Sequence, residues 1–263
     1  MQPLLPLGGY AGWRFLQQTL PAQVGRFAAS PVEARDMAYF RDRIASVTTA
    51  EALVSDYRLL RVALTAYGLQ QDLPNRAFIR TLLEQGTTDE GALANRLADK
   101  RYRSFAEAFG FGGPVPPRTG LPGFADSLLG RFTRQSFEQA VGAQDETLRL
   151  ALTAERELGE LATRQITDTT AWLSVLGSPP LRKVFETALG LPASIGTLEL
   201  DRQLRAFRDG ADRLFGQPDI AQFKDPARIE DLIRVFTLRS EATSGPSPLT
   251  PGFAALALLS GRS

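Results

Sequence analysis

The chain contains neither cysteine nor histidine in its 263 residues. Disulfides, thiolate nucleophiles, Cys/His zinc sites and every triad built on an imidazole base are thereby excluded. The ferritin-like di-iron pattern goes with them, because it needs Glu-x-x-His. An enzyme made from this sequence would have to work through carboxylates, Ser/Thr, Tyr, Lys or Arg. Long apolar runs are missing as well, and no stretch approaches the ~20 residues that span a bilayer. Met1 to Leu7 lack a basic region and a sustained apolar core, so no secretory signal is expected there. An excess of one charge is also lacking: 30 Lys+Arg stand against 29 Asp+Glu, a net charge of +1. Residues 1–113 alone hold 13 and 11 of them, so neither half is strongly signed. Bulk electrostatics therefore offers no reason to expect nucleic acid or an anionic membrane as a partner.

What is present is helical periodicity in a chain long enough for one large or two small domains. The stretch from Thr48 to Leu69 predicts one continuous central helix. Thr48 is placed to cap it, with Glu51 closing a capping box. Leu53, Tyr57, Leu60, Leu64 and Tyr67 then form an apolar stripe that ends at Gly68. Before it, residues 1–12 are Pro/Gly-rich and loose, and a first helix from Trp13 stops before Pro21. A second helix starts at Ser30-Pro31 and carries Met37, Phe40 and Ile44 on one face. After it, helices are expected over Pro74 to Gln85, over Asp89 to Leu97, and from a cap at Asp99 to Gly110.

The Pro/Gly-rich segment 113–123 can be neither helix nor central strand, and forms a linker or an ordered surface loop. Phe124 to about Arg164 contains no proline, and predicts a long helix between two smaller units. If continuous it would measure roughly 60 Å at ~1.5 Å per residue; a break near Gly142 is the alternative. Further on, Leu181, Val184, Thr187, Ala188, Gly190 and Leu191 repeat Leu59, Val62, Thr65, Ala66, Gly68 and Leu69 at a constant offset. In both places a turn, an apolar helix and an Asp-started helix follow, which predicts a diverged internal repeat. The expected organisation is a first helical unit over 13–112, the linker loop over 113–123, a long helix and second unit over 124–240, and a flexible apolar tail over 241–263. The fold class is all-α. A tail this short is not a stable isolated helix, so it docks on its own body, binds a partner or stays disordered; Phe253, Leu256, Leu258 and Leu259 are the candidate partner-binding residues.

Motifs that carry chemistry are scarce. Asp99-Lys100-Arg101-Tyr102-Arg103 is the densest basic cluster, but no basic face surrounds it and a solvated first turn accounts for it. Glu155, Glu157 and Glu160 could be imagined as acid/base carboxylates, but read more simply as ion pairs at helical spacing, with Arg156 and Arg164 within reach. Gly110-x-Gly112-Gly113 follows a helix and leads into prolines, which is not a dinucleotide fingerprint. No cofactor or metal is implied.

The residues in order resemble a known family. The matching features begin with Tyr39-Phe40…Ile44 and Thr49-x-Glu51-x-Leu53-x-x-Asp56-x-Arg58-Leu59-Leu60…Ala63-Leu64-x-Ala66-x-Gly68-Leu69. Ala94-Asn95-x-Leu97-x-Asp99-x-Arg101-Tyr102…Phe109-x-Phe111 follows, then Phe137-Glu138…Val141-Gly142 and Leu148-Arg149-Leu150-Ala151-Leu152. Ala188-Leu189-Gly190-Leu191-Pro192 and Leu200-Asp201-x-Gln203 complete the set, which covers about residues 10–240. These resemble a bacterial family of unknown biochemical function, typical of alphaproteobacteria and often encoded in or beside flagellar gene clusters. The resemblance implies an all-helical protein with a role in flagellar assembly or structure. It carries over no catalytic residue.

The expectation is thus a non-enzymatic, flagellum-associated protein acting through helix-mediated contacts with a protein partner, itself a flagellar component. It would be cytoplasmic, or flagellum-associated after export without a signal. The alternative is a carboxylate-dependent enzyme with a cleft between the two helical units.

Overall fold

The computed structural model describes residues 1–113 and 116–244, and all regular structure among them is helical. Contacts divide the chain into two compact units. Unit 1 is Met1–Pro3 with Pro21–Gln139, and unit 2 is Leu4–Leu20 with the chain from Ala140 onward. The divisions at 20/21 and 139/140 fall inside helices. Residues 116–123 lie within unit 1.

The first helix, α1 (Gly9–Ala28), does not stop before Pro21 but runs through it. A proline inside a helix deletes one hydrogen bond and crowds the preceding turn. Here it stands where the chain changes units: residues before it pack with unit 2, those from it onward with unit 1.

In unit 1, α2 (Pro31–Arg43) starts at Ser30-Pro31 as the sequence predicts. The stretch expected to be one central helix is two, α3 (Ala50–Ser55) and α4 (Tyr57–Ala66). Asp56 breaks it with φ −90° and ψ 105°, and its Oδ1 accepts the backbone N–H groups of Arg58 and Leu59 at 2.9 and 3.0 Å. A carboxylate that caps the next turn competes with continuation of the helix it interrupts. The N-cap of α3 is Thr49 rather than Thr48, its hydroxyl accepting from Ala52 N–H, and Glu51 turns to Arg80 and Ser55 instead of closing a box. Because the break resets the register, Tyr57 leaves the apolar stripe and is exposed, while Leu53, Leu60 and Leu64 stay fully buried.

The unit continues with α5 (Arg76–Gln85), then α6 (Leu93–Arg96), a single turn where a longer helix was expected, and α7 (Lys100–Phe109) capped by Asp99. Phe40, Ile44, Leu60, Leu64, Ile79, Phe105 and Phe109 share one core with Leu128, Leu129 and Phe132 of α8 (Phe124–Gly142). Each such side chain is worth roughly 1.5–3 kcal/mol of burial. Within the loop before α8, Thr119 is buried and its hydroxyl donates to the carbonyl of Val47 at 2.7 Å.

The long helix expected over 124–164 is also two, with α9 (Glu146–Ala162) starting afresh. Asp145, extended at φ −147° and ψ 102°, caps it by accepting Leu148 N–H at 3.0 Å. Unit 2 adds α10 (Asp168–Leu176), α11 (Pro179–Leu189), α12 (Leu200–Phe215) and α13 (Pro226–Ser244). Helices α9, α11 and α13 pack on one another. Edge-to-face aromatics join Trp172 to Phe185 and Phe207, and Phe223 to Phe185 and Phe215.

The two stretches related in sequence end alike. Gly68 and Gly190 take φ +69° and +67°, in the left-handed region. The following N–H groups, of Leu69 and Leu191, both close back at 2.8 Å onto carbonyls five residues earlier, those of Leu64 and Glu186. That is the Schellman ending, and it needs the glycine.

Candidate functional site

The side chains with chemical capacity gather in a few polar nodes. In unit 1 the Asp36 carboxylate is 8% exposed and lies between the guanidinium groups of Arg61, in close contact, and Arg58 at 3.4 Å. Arg58 also lies over the Tyr39 ring, 5.0 Å from its centre, and the Tyr39 hydroxyl donates to Asp56 Oδ2 at 2.7 Å. Helix α2 is thereby fastened to the start of α4.

A second node closes the turn after α4. The Tyr102 hydroxyl donates to Asp72 Oδ2 at 2.7 Å, and Asn75 Nδ2 donates to Asp72 Oδ1 at 3.0 Å. Burial, and then the adjoining Asp72 carboxylate, push the Tyr102 hydroxyl up to about 12. Arg101 pairs with Asp99 at 2.6 Å and donates to the carbonyl of Gly68 at 2.7 Å. The basic cluster around Tyr102 is therefore not a solvated turn. Two of its members hold the chain reversal at 68–75.

In unit 2, Glu230 of α13 accepts the Tyr10 hydroxyl and the Trp13 indole N–H, each at 2.8 Å, so it anchors the first half of α1. Asp168 accepts Arg208 at 2.7 Å on one oxygen and the backbone N–H of Ile220 at 3.0 Å on the other. The acids of α9 tie elements together too: Glu155 accepts from Gln17 at 3.1 Å, and Glu157 from Ser178 at 2.9 Å and Arg156 at 3.5 Å.

One depression in unit 1 differs from these nodes. It encloses about 320 Å³ and is lined by Tyr67, Ala108, Arg118, Leu121, Pro122, Gly123, Phe124, Ser127 and Leu128. Its floor is apolar and no carboxylate lines it. Arg118 forms no ion pair with a described residue, and neither the Tyr67 nor the Ser127 hydroxyl has a hydrogen-bond partner among them. Arg131, one turn beyond Ser127 on α8, lies over the Tyr67 ring at 5.7 Å. Burial raises the Tyr67 hydroxyl above its ordinary value, against the opposing charge of Arg131. The sequence analysis missed this place. Its only sequence signal is an arginine in a Pro/Gly-rich segment with no acid within several positions.

Of the residues singled out in the sequence, Phe253, Leu256, Leu258 and Leu259 lie outside the described residues. Among the described residues no group of three or more acids is placed to hold a metal ion, and no helix is long and apolar enough to cross a membrane.

An all-α protein whose acids serve as caps and ties is the class that fold and site define. The chain belongs to a family described as "Protein of unknown function (DUF1217)", whose model matches residues 66–229. Its structure is similar to the X-ray crystal structure of a protein from Agrobacterium tumefaciens, a structural-genomics target. The TM-score is 0.75 at 27% sequence identity, over 93% of this chain and 100% of that one. No curated protein matches the sequence.

Proposed function

We propose that the protein is a non-enzymatic, flagellum-associated structural or assembly factor that works through helix-mediated protein–protein contacts. The observation carrying its non-enzymatic half is how the polar residues of the family resemblance are employed. Asp56 caps α4 and receives Tyr39, Asp99 caps α7, and Arg101 and Tyr102 hold the reversal after Gly68. Catalytic acids and bases need free valences aimed at a substrate. These are occupied in holding the fold, and such a set of features suits a scaffold.

The flagellar half rests on the resemblance and its gene neighbourhood. The partner on this reading is a flagellar component. Phe253, Leu256, Leu258 and Leu259 are proposed contacts on composition alone. The protein acts in the cytoplasm, or on the flagellum after export without a signal. The test is a clean deletion strain in which filaments are counted and swimming is scored. Missing or misshapen filaments restored by the wild-type gene are the expected result. Normal filaments with normal swimming would sink the proposal.

A further inference from the structure

Several arginines of unit 1 meet a carboxylate or a backbone carbonyl. Arg61 meets Asp36, Arg101 meets Asp99 and Gly68, and Arg41 meets Asp126 at 2.8 Å. Arg118 and Arg131 form no ion pair with a described residue; Arg118 lines the 320 Å³ depression, and Arg131 lies over the ring of Tyr67, which also lines it. Beside them the Tyr67 and Ser127 hydroxyls are available as further donors, and the floor of Ala108, Phe124 and Leu128 is apolar. Leu121 on the rim is 57% exposed, a large apolar side chain left in water. This combination matches a ligand with a carboxylate next to a ring or branched aliphatic group, because charge-assisted bonds from arginine favour carboxylates and the floor favours apolar surface.

The depression is open and its rim residues are exposed, so a free metabolite would stay largely in water there. Small-molecule sites bury most of their ligand. A side-chain pair presented by a larger partner suits the shape better. The chain's own segment 245–263 contains no Asp or Glu, so charge complementarity points away from it.

We infer that the Tyr67–Arg118–Ser127 depression is a docking site for a partner protein's peptide segment in which an acidic residue adjoins an aromatic or branched aliphatic one. The carboxylate meets Arg118 and the Tyr67 hydroxyl, and the apolar neighbour covers Leu121, Phe124 and Leu128. This deepens the reading of the protein as one that works through protein contacts, and rests on it.

The test uses the isotope-labelled full chain titrated with the dipeptide N-acetyl-Asp-Phe-amide and followed by NMR, with N-acetyl-Asn-Phe-amide as the neutral control. The expected result is saturable shifts at Ala108, Arg118, Leu121, Ser127 and Leu128, with the control weaker by about tenfold or more, and the Arg118→Gln variant weakened to a similar degree. Arg118 is exposed and forms no ion pair with a described residue, so this variant is expected to fold. Equal shifts from both dipeptides, shifts elsewhere only, or none would overturn the inference. So would a change in the same resonances, without dipeptide, on truncating the chain after Ser244, because the occupant would then be its own tail. Binding by the dipeptide together with normal flagella in the deletion strain would refute the flagellar reading alone. No binding together with missing flagella would refute the docking site alone.

Discussion

At the residue scale, charged and polar side chains take structural posts that spacing alone does not disclose. Tyr102 is the clearest. Its hydroxyl is ordinarily lost at pH 10.0, but burial and the neighbouring Asp72 raise that to about 12 in the fold. The folded state thus holds the proton more tightly than the unfolded state. The resulting stabilisation is complete below pH 10 and disappears as pH climbs through 12. Urea midpoints measured from neutral pH to above 11 should fall more steeply for the wild type than for Tyr102→Phe. At neutral pH the variant should lose about 1 kcal/mol, the net worth of a hydrogen bond. Parallel pH profiles for the two proteins would show that Tyr102 does not carry the slope. The sequence placed Tyr102 in a basic cluster and stopped there. Asp72 is thirty residues away in the chain, and no local pattern announces such a pair.

Elements were legible where one signal stood without a competitor. Ser30-Pro31 and Asp99 each start a helix as expected, and Gly68 and Gly190 end α4 and α11 in the left-handed region. The all-α class followed from the same punctuation. The misses share a cause. Across 48–69 and 124–164 the apolar periodicity is continuous enough to suggest one helix, yet Asp56 and Asp145 interrupt by capping the helix ahead of them. An aspartate within an apolar-periodic run is ambiguous, since it serves equally as a solvent-facing residue or as a cap. Pro21 misled in the opposite sense, stopping a helix in the reading that the structure continues. Asp56→Ala removes both backbone bonds at the start of α4 and should cost about 1–2 kcal/mol in chemical denaturation. Native-state hydrogen exchange should show the loss first in α4's opening turn. An unchanged midpoint would mean that α3 and α4 fuse without penalty, and that the break is not held by its cap.

At the scale of the whole molecule, the sequence suggested two units but drew the line at a Pro/Gly-rich loop. Contacts draw it elsewhere: residues 4–20 group with the chain from Ala140 onward, and 124–139 with what precedes them. Nothing local could have revealed this, because the divisions at 20/21 and 139/140 fall inside helices whose composition does not change there. The depression lined by Tyr67 and Arg118 was equally hidden, since its residues come from three separate stretches of unit 1. The grouping has a direct test. Residues 140–244 produced alone lack Trp13, Leu16 and Leu20, all buried, and the donors that satisfy Glu230. This fragment should show weakened cooperativity on heating, and adding a peptide of residues 4–20 should restore it. A fragment that melts as sharply without the peptide would show that the first half of α1 is dispensable to unit 2.

The same grouping sets a timetable during synthesis. Residues 4–20 are made first, but the stretch of α13 that receives them follows more than two hundred residues later. At ~5–20 residues per second the ribosome needs roughly 10–40 s to deliver it. Residues 21–139 can condense within that wait. The opening helix, with Trp13 and Leu16, therefore waits for its α13 partner until residue 230 has been made, which makes the growing chain a client for whatever holds nascent apolar segments apart.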